Sequence, residues 1–208
     1  MAIEITKVLE HFVTHEFITA VELSFWIGRA LGIYYSIKGV IGWWLMARSK
    51  AAGTMLSQLY GTPPSLNNCI FLMVASSLMW NMGSGIMAFG QLLYGSIAID
   101  VDDPYTAVMF DAVSLNATNL VNQDIMNSRK VTEGGRVTIR ACLAVFSMFG
   151  YFSYFKGINA IAKLGDPTVK DGLSLSSIIV RCFIGAGLTL IDKAYLLLTT
   201  SITQAAAG

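Results

Sequence analysis

The sequence predicts an all-α membrane protein with four transmembrane helices, arranged as two repeated hairpins, an amphipathic N-terminal helix and a polar central segment. Three observations predict this class. Hydrophobic residues make up 54% of the 208 residues and charged residues only 13%, about half the share usual in a soluble domain. Several apolar stretches reach the roughly 20 residues that a helix needs to cross a bilayer. The two predicted helical hairpins also share a sequence element.

Each predicted element follows from where apolar character begins and ends. Residues 1–20 place apolar side chains at helical spacing among charged ones, as in an amphipathic helix that lies on a membrane or a partner. The first hairpin covers 21–95 and the second covers 138–200, with the polar segment 96–137 between them and a tail at 201–208. The four spans are expected near 25–46, 69–94, 138–161 and 173–191, each as an uninterrupted helix.

The distribution of basic residues predicts the orientation. Acidic residues count little in the positive-inside rule, so the comparison is between basic residues near the hairpin tips and those in the central segment. Six lie towards the tips and three in the centre: Lys38, Arg48, Lys50, Lys156, Lys163 and Lys170 against Arg129, Lys130 and Arg136. Both tips are therefore expected in the cytoplasm, with both termini and the central segment outside.

An internal repeat connects the two hairpins. The nine residues from Gly32 align without a gap with the nine from Gly150, and in both a Lys-Gly pair follows six residues after the first glycine. These pairs are Lys38-Gly39 and Lys156-Gly157. Each return helix also has a glycine 20 residues after a turn proline: Gly83 after Pro63, and Gly187 after Pro167.

This duplicated Gly-x5-Lys-Gly element, followed by a Pro-containing turn and a Gly-bearing return helix, resembles the IcmC/DotE family of type IVB secretion systems and the TraQ-type proteins of IncI-like conjugation. The resemblance covers roughly residues 20–201. It implies a structural subunit of an oligomeric channel or scaffold in the bacterial inner membrane. Its partners would be DotA/TraY-like and DotP/IcmD-like subunits, and the family offers no catalytic residue to transfer.

Small residues in the second span are candidates for helix packing or assembly. Asn81 can hydrogen-bond across a helix interface, and Gly83, Gly85 and Gly90 permit close backbone approach, which drives helix association in lipid. Gly39 and Gly157 would open space for a crossing backbone in the same way.

Three basic residues within the apolar stretches are further candidates. Lys38 and Lys156 either anchor their helices by reaching the headgroups or contact a specific lipid or partner. Arg181 lies well inside the fourth span, where a charge is expensive, so it is expected to be buried against protein or against a water-filled lumen. A structural pairing with another subunit, a wetted lumen and a transport site are the alternatives for it.

Several functional classes find little support. A net charge of +1 argues against nucleic-acid binding. His11 and His15 have a spacing that can bind zinc, but no third ligand is identified, and Cys69, Cys142 and Cys182 show no metal-ligand or disulfide spacing. The sequence therefore predicts no enzyme, metal or cofactor.

The alternative to a structural subunit is a small secondary transporter or ion channel, because internal repeats are also typical of transporters. Two expectations favour the structural subunit. The repeats are expected to be parallel rather than inverted, and no span is expected to be broken within the membrane.

Overall fold

A computed structural model describes residues 2–48, 65–94, 133–164, 166, 174–191 and 194. Every element within these ranges is helical, which confirms the all-α class for the described part of the chain. The elements are α1 (Ala2–His11), a π-helical turn (Phe12–Glu16), α2 (Phe17–Ala47), α3 (Leu66–Trp80), α4 (Met82–Tyr94), α5 (Glu133–Lys163) and α6 (Leu175–Thr189). Most of the predicted polar segment, both hairpin loops and the C-terminal tail lie outside the described residues.

The chain stays helical across residue 20, where the amphipathic lead is predicted to end. The chain is helical from Ala2 to Ala47, and the only change is the π-helical turn Phe12–Glu16, where a wider turn shifts the side-chain register. α1 packs against α5, and Phe17 and Val21 are buried at the start of α2. The amphipathic lead therefore belongs to the same bundle as the helices that follow it.

The two long helices α2 and α5 run in the same direction. The rings of Phe25 and Tyr151 pack edge to face with centroids 5.9 Å apart. Further along both helices, the hydroxyl of Tyr35 donates a hydrogen bond to Oδ1 of Asn159. Each helix has 31 residues, which is about 46 Å.

The return helices α3 and α6 begin alike. Ser65 caps α3 by accepting a hydrogen bond from the Asn68 N–H at 3.1 Å, and Ser174 caps α6 by accepting one from the Ser177 N–H at 3.2 Å. Both helices have 15 residues. α3 packs on α2, α6 packs on α5, and α3 also packs on α5, which joins the two hairpins into one bundle.

The expectation of an uninterrupted second span is wrong. α3 ends at Trp80 and α4 starts at Met82, and the two helices meet at an angle of 88°. Asn81 between them has φ −105° and ψ 41°, outside the helical region. Asn81, Gly83 and Gly85 fall within five residues, and both residue types have low helix propensity, so little opposes a bend here.

Length and composition identify one helix of the described chain that could cross a membrane, Val137–Lys163, or two if the bent pair α3–α4 is a single span. α6 is shorter, with 15 residues, and α2 carries Arg29 and Lys38 in its apolar stretch. Four transmembrane helices therefore remain a proposal.

Large apolar side chains lie on the outer face as well as in the interior. Trp26 and Phe149 are more than 60% exposed, whereas Ala75 and Tyr154 are fully buried. A soluble bundle would bury more of its large apolar residues, because their burial contributes most to its stability. An outer face of this kind suits helices that pack within an apolar solvent.

Candidate functional site

Close helix contacts in the first hairpin occur at two glycines of α2. A Cβ built on Gly32 would lie 3.1 Å from the carbonyl oxygen of Ser76 and 3.3 Å from the amide nitrogen of Trp80. A Cβ on Gly39, seven residues later, would lie 3.5 Å from the carbonyl oxygen of Cys69. The helices thus approach most closely at Gly32, where Ser76 Oγ also donates a 2.7 Å hydrogen bond to the Gly32 carbonyl.

The second hairpin has the same pair of contacts at Gly150 and Gly157 of α5, and they are tighter. A Cβ on Gly150 would lie 2.7 Å from the carbonyl oxygen of Gly185 and closer still to the amide nitrogen of Thr189. A Cβ on Gly157 would lie 2.6 Å from Sγ of Cys182. Real Cβ atoms do not approach neighbours below 3.0 Å, so Gly150 has no room for a side chain.

The two sets of contacts correspond. In each hairpin the first glycine of the long helix faces a carbonyl of the return helix and the N–H four residues after that carbonyl. The two groups belong to Ser76 and Trp80 in the first hairpin, and to Gly185 and Thr189 in the second. Each carbonyl belongs to the eleventh residue after the serine that caps its helix. Gly83 and Gly187, which sequence spacing matched, hold different positions: Gly83 follows the break, in α4, while Gly187 lies within α6.

The return helices also end alike. α3 ends at Trp80 and α6 at Thr189, and the residues that follow, Asn81 and Leu190, have similar backbone angles. Helical hydrogen bonding resumes at once after both positions. The Gly85 N–H donates to the Asn81 carbonyl at 2.9 Å, and the Ala194 N–H donates to the Leu190 carbonyl at 3.4 Å.

Tyr154 of α5 occupies the place where α4 crosses the second hairpin. Its side chain is fully buried, and its backbone lies against Gly185 of α6. Its hydroxyl occupies the space that a side chain at Gly85 would need, and within the described residues it has no hydrogen-bond partner. Phe89 packs edge to face on the Tyr154 ring with a centroid distance of 6.0 Å. Gly85 is therefore a packing residue within the chain.

The other candidates of α4 also lie inside the chain. Gly83 and Gly90 are buried against the chain's own helices, whereas Asn81 at the break is exposed. Asn81 lines the end of an open groove of about 540 Å³ between α2 and α3. Ser36 and Ser77 line this groove with Asn81, among apolar side chains such as Trp80.

The three basic candidates have different surroundings. Lys38 is half-buried, while Lys156 and Arg181 are exposed. Within the single chain Arg181 is not covered by protein and no described carboxylate pairs with it, so its burial against another subunit or a water-filled lumen stays a prediction. A Cβ built on Gly157 would lie 3.7 Å from the Cβ of Arg181. The hydroxyl of Ser153 donates a 3.4 Å hydrogen bond to the Arg181 carbonyl.

Sequence reasoning missed the polar contacts between helices. Tyr35 reaches Asn159 between α2 and α5, and Tyr94 donates a 2.9 Å hydrogen bond to the Gly187 carbonyl between α4 and α6. Ser147 donates one of 2.9 Å to the Thr189 carbonyl. The only signal in the sequence is a polar residue within an apolar stretch, which does not identify the partner.

The described residues contain no group of three or more His, Cys, Asp and Glu side chains that could hold a metal ion. His11 and His15 lie with ring centroids 4.9 Å apart, and both are exposed. None of the three cysteines forms a disulfide in the described part of the chain: Cys69 and Cys182 are buried, and Cys142 is exposed. In this part of the chain the arrangement supports helix packing rather than chemistry.

Comparisons with models of protein families, with curated proteins and with solved structures find no match for this chain.

Proposed function

We propose that this chain is a structural, non-catalytic inner-membrane subunit of a type IVB secretion or conjugative DNA-transfer apparatus, forming part of an oligomeric channel or scaffold. The duplicated Gly-x5-Lys-Gly element is the sequence feature that supports this apparatus. Its partners would be the lipid bilayer and other subunits of the DotA/TraY-like and DotP/IcmD-like kinds. All four apolar stretches cross the membrane in this proposal, with both termini outside.

The apolar outer face is the single observation that carries the proposal. Large apolar residues there can contact lipid or neighbouring subunits, and close glycine contacts and interhelical hydrogen bonds hold the helices together. In the described bundle Tyr154, Met79 and Ile158 are fully buried. A filled interior supports a scaffold more than a pore within one chain.

A small secondary transporter or ion channel is the second candidate, and the break at Asn81 favours it. Transporters bind their substrates where helices are interrupted at corresponding positions of two repeats. Here α3 and α6 both have 15 residues, and the residues that follow them, Asn81 and Leu190, have similar backbone angles. The expectation of unbroken spans therefore no longer argues against this candidate. The shared direction of α2 and α5 does argue against inverted repeats.

Mass measurement of the complex, extracted from its own membrane in lipid nanodiscs, separates the two candidates. A stable assembly with other inner-membrane proteins is expected. An isolated monomer or dimer that conducts ions or transports a solute after reconstitution would instead support the second candidate. Vesicles prepared in parallel with Gly150→Val, which is expected not to fold, provide the control for nonspecific leakage.

A further inference from the structure

Two exposed cations lie side by side on the outer face of the second hairpin. Lys156 and Ser153 are three residues apart, on one face of α5, and Ser153 Oγ lies 3.4 Å from the Arg181 carbonyl of α6. The residue after Lys156 is Gly157, and a Cβ built on it would lie 3.7 Å from the Arg181 Cβ. The two basic side chains therefore start within about one helical turn of each other. Like charges repel, so an anion between them would lower the electrostatic energy of both.

The exposed face of α5 changes character at the level of Lys156. Exposed Lys163 and Lys156 are followed towards the helix start by exposed Phe152 and Phe149. On α6 the exposed side chains between the tip and Arg181 are mixed: Ser174, Leu175, Ser176, Ser177, Ile179 and Val180. A change from basic to apolar side chains along a membrane helix is typical of the interface between headgroups and acyl chains.

The length of α5 agrees with this level. The apolar helix Val137–Lys163 has 27 residues, about 40 Å, which exceeds the hydrocarbon core by about 10 Å. Lys156 lies seven residues before Lys163, which is also about 10 Å. If the helix protrudes at the tip, both cations lie at the depth of the phosphates.

We propose that Lys156 and Arg181 together bind the phosphate of an anionic phospholipid, with Phe149, Phe152 and Ile184 against its acyl chains. α6 has no acidic residue, and Glu133, the only one of α5, lies at the opposite end of that helix. Arg offers a planar fork of donors to phosphate oxygens and Lys adds a point charge.

The first hairpin lacks this site although it has the matching lysine. Lys38 is half-buried, and the residue that contacts Gly39 at the place of Arg181 is Leu72, which is 3% exposed. Lys38 is therefore the natural control. The inference rests on the proposed membrane location but not on the secretion or conjugation role.

The experiment compares thermal unfolding of the isolated full chain in nanodiscs of phosphatidylcholine alone and of equal parts phosphatidylcholine and phosphatidylglycerol. For the wild type, phosphatidylglycerol should raise Tm by about 3–6 °C, the shift that lipid at tenfold over its Kd gives a chain of this size. Lys156→Gln and Arg181→Gln should each lose most of this shift. Lys38→Gln should keep it, and Arg181→Lys should keep part of it.

Each other outcome overturns the inference. A wild-type Tm that is equal in both nanodiscs, or a full shift in the Lys156→Gln Arg181→Gln double variant, excludes this lipid site. Loss of a partner protein from the complex on Arg181→Gln, without any lipid response, would assign the cations to a subunit contact. Failure of the chain to enter nanodiscs would instead contradict the proposed membrane location.

Discussion

The two hairpins carry the same sequence element but achieve close helix packing differently. In the first, Gly32 of α2 faces Ser76, and the serine hydroxyl donates a hydrogen bond to the Gly32 carbonyl. In the second, Gly150 of α5 faces the Gly185 carbonyl together with the amide and hydroxyl of Thr189. A Cβ at Gly32 would meet its nearest neighbour at 3.1 Å, whereas one at Gly150 would lie well below 3.0 Å.

This difference shows what a glycine does in each place. At Gly32 the space is tight but a small shift would admit a methyl group. At Gly150 the overlap is much larger, and the amide of Thr189 and the carbonyl of Gly185 cannot give way without moving α6. In the second hairpin the backbone of Tyr154 also packs against Gly185, and its hydroxyl packs against Gly85 of α4. The second hairpin is therefore the more tightly packed of the two.

The largest expected effect concerns orientation and is all or none. Since α2 and α5 run in the same direction, the tips of both hairpins should face the same side of the membrane. In a chain whose native cysteines are replaced by alanine, new cysteines at Ser57 and Thr168 should be protected from an impermeant reagent in intact cells. A cysteine at Asn119 should react. Unequal labelling of the two tips would show that the hairpins are oppositely oriented.

The next largest effect is that of Gly150→Ala compared with Gly32→Ala. We expect Gly150→Ala to destabilise the chain by about 3 kcal/mol, at the upper end of overpacking, and Gly32→Ala by about 1 kcal/mol or less. Thermal unfolding of both variants in the same detergent measures the difference. Equal Tm values would mean that the closer approach of the second hairpin is absent in solution.

A smaller effect is expected at the crossing of α4. Tyr154→Phe removes a buried hydroxyl that has no described partner, and should raise stability by about 1 kcal/mol. Gly85→Ala should lower it, because the added methyl group meets that hydroxyl. In the double variant the cost of Gly85→Ala should shrink, since the two residues are in contact. Strictly additive Tm changes would place the hydroxyl elsewhere.

The smallest effect is that of the interhelical hydrogen bonds. Ser76→Ala and Ser147→Ala each remove one bond to a backbone carbonyl, at Gly32 and Thr189. Each should cost about 0.6 kcal/mol in a membrane environment. Ser77→Ala, on the exposed face of α3, is the control that should leave Tm unchanged. If Ser76→Ala destabilises the chain more than Gly32→Ala does, the hydrogen bond rather than the glycine is the main contact of the first hairpin.

The sequence predicts the helices well because apolar length and small residues are local properties. Helix α5 and the glycines Gly39 and Gly157 could be read from it. The bend at Asn81 could not, because glycine is also frequent in straight membrane helices, where neighbouring helices decide the outcome. The exposure of Arg181 depends on which face of α6 packs on α5, and an apolar stretch without periodicity does not encode that face.

The short first return helix has a consequence for the bilayer. α3 is about 22 Å long, beside α2 and α5 of about 46 Å, while the hydrocarbon thickness is about 30 Å. In a membrane the long helices must tilt or protrude, whereas lipid beside α3 must thin to match it. With α4 turned by 88° at the end of α3, the first return helix cannot correct this mismatch by simple extension. The chain would then deform the membrane unequally around its circumference, and neighbouring subunits could relieve that stress by covering the thin flank.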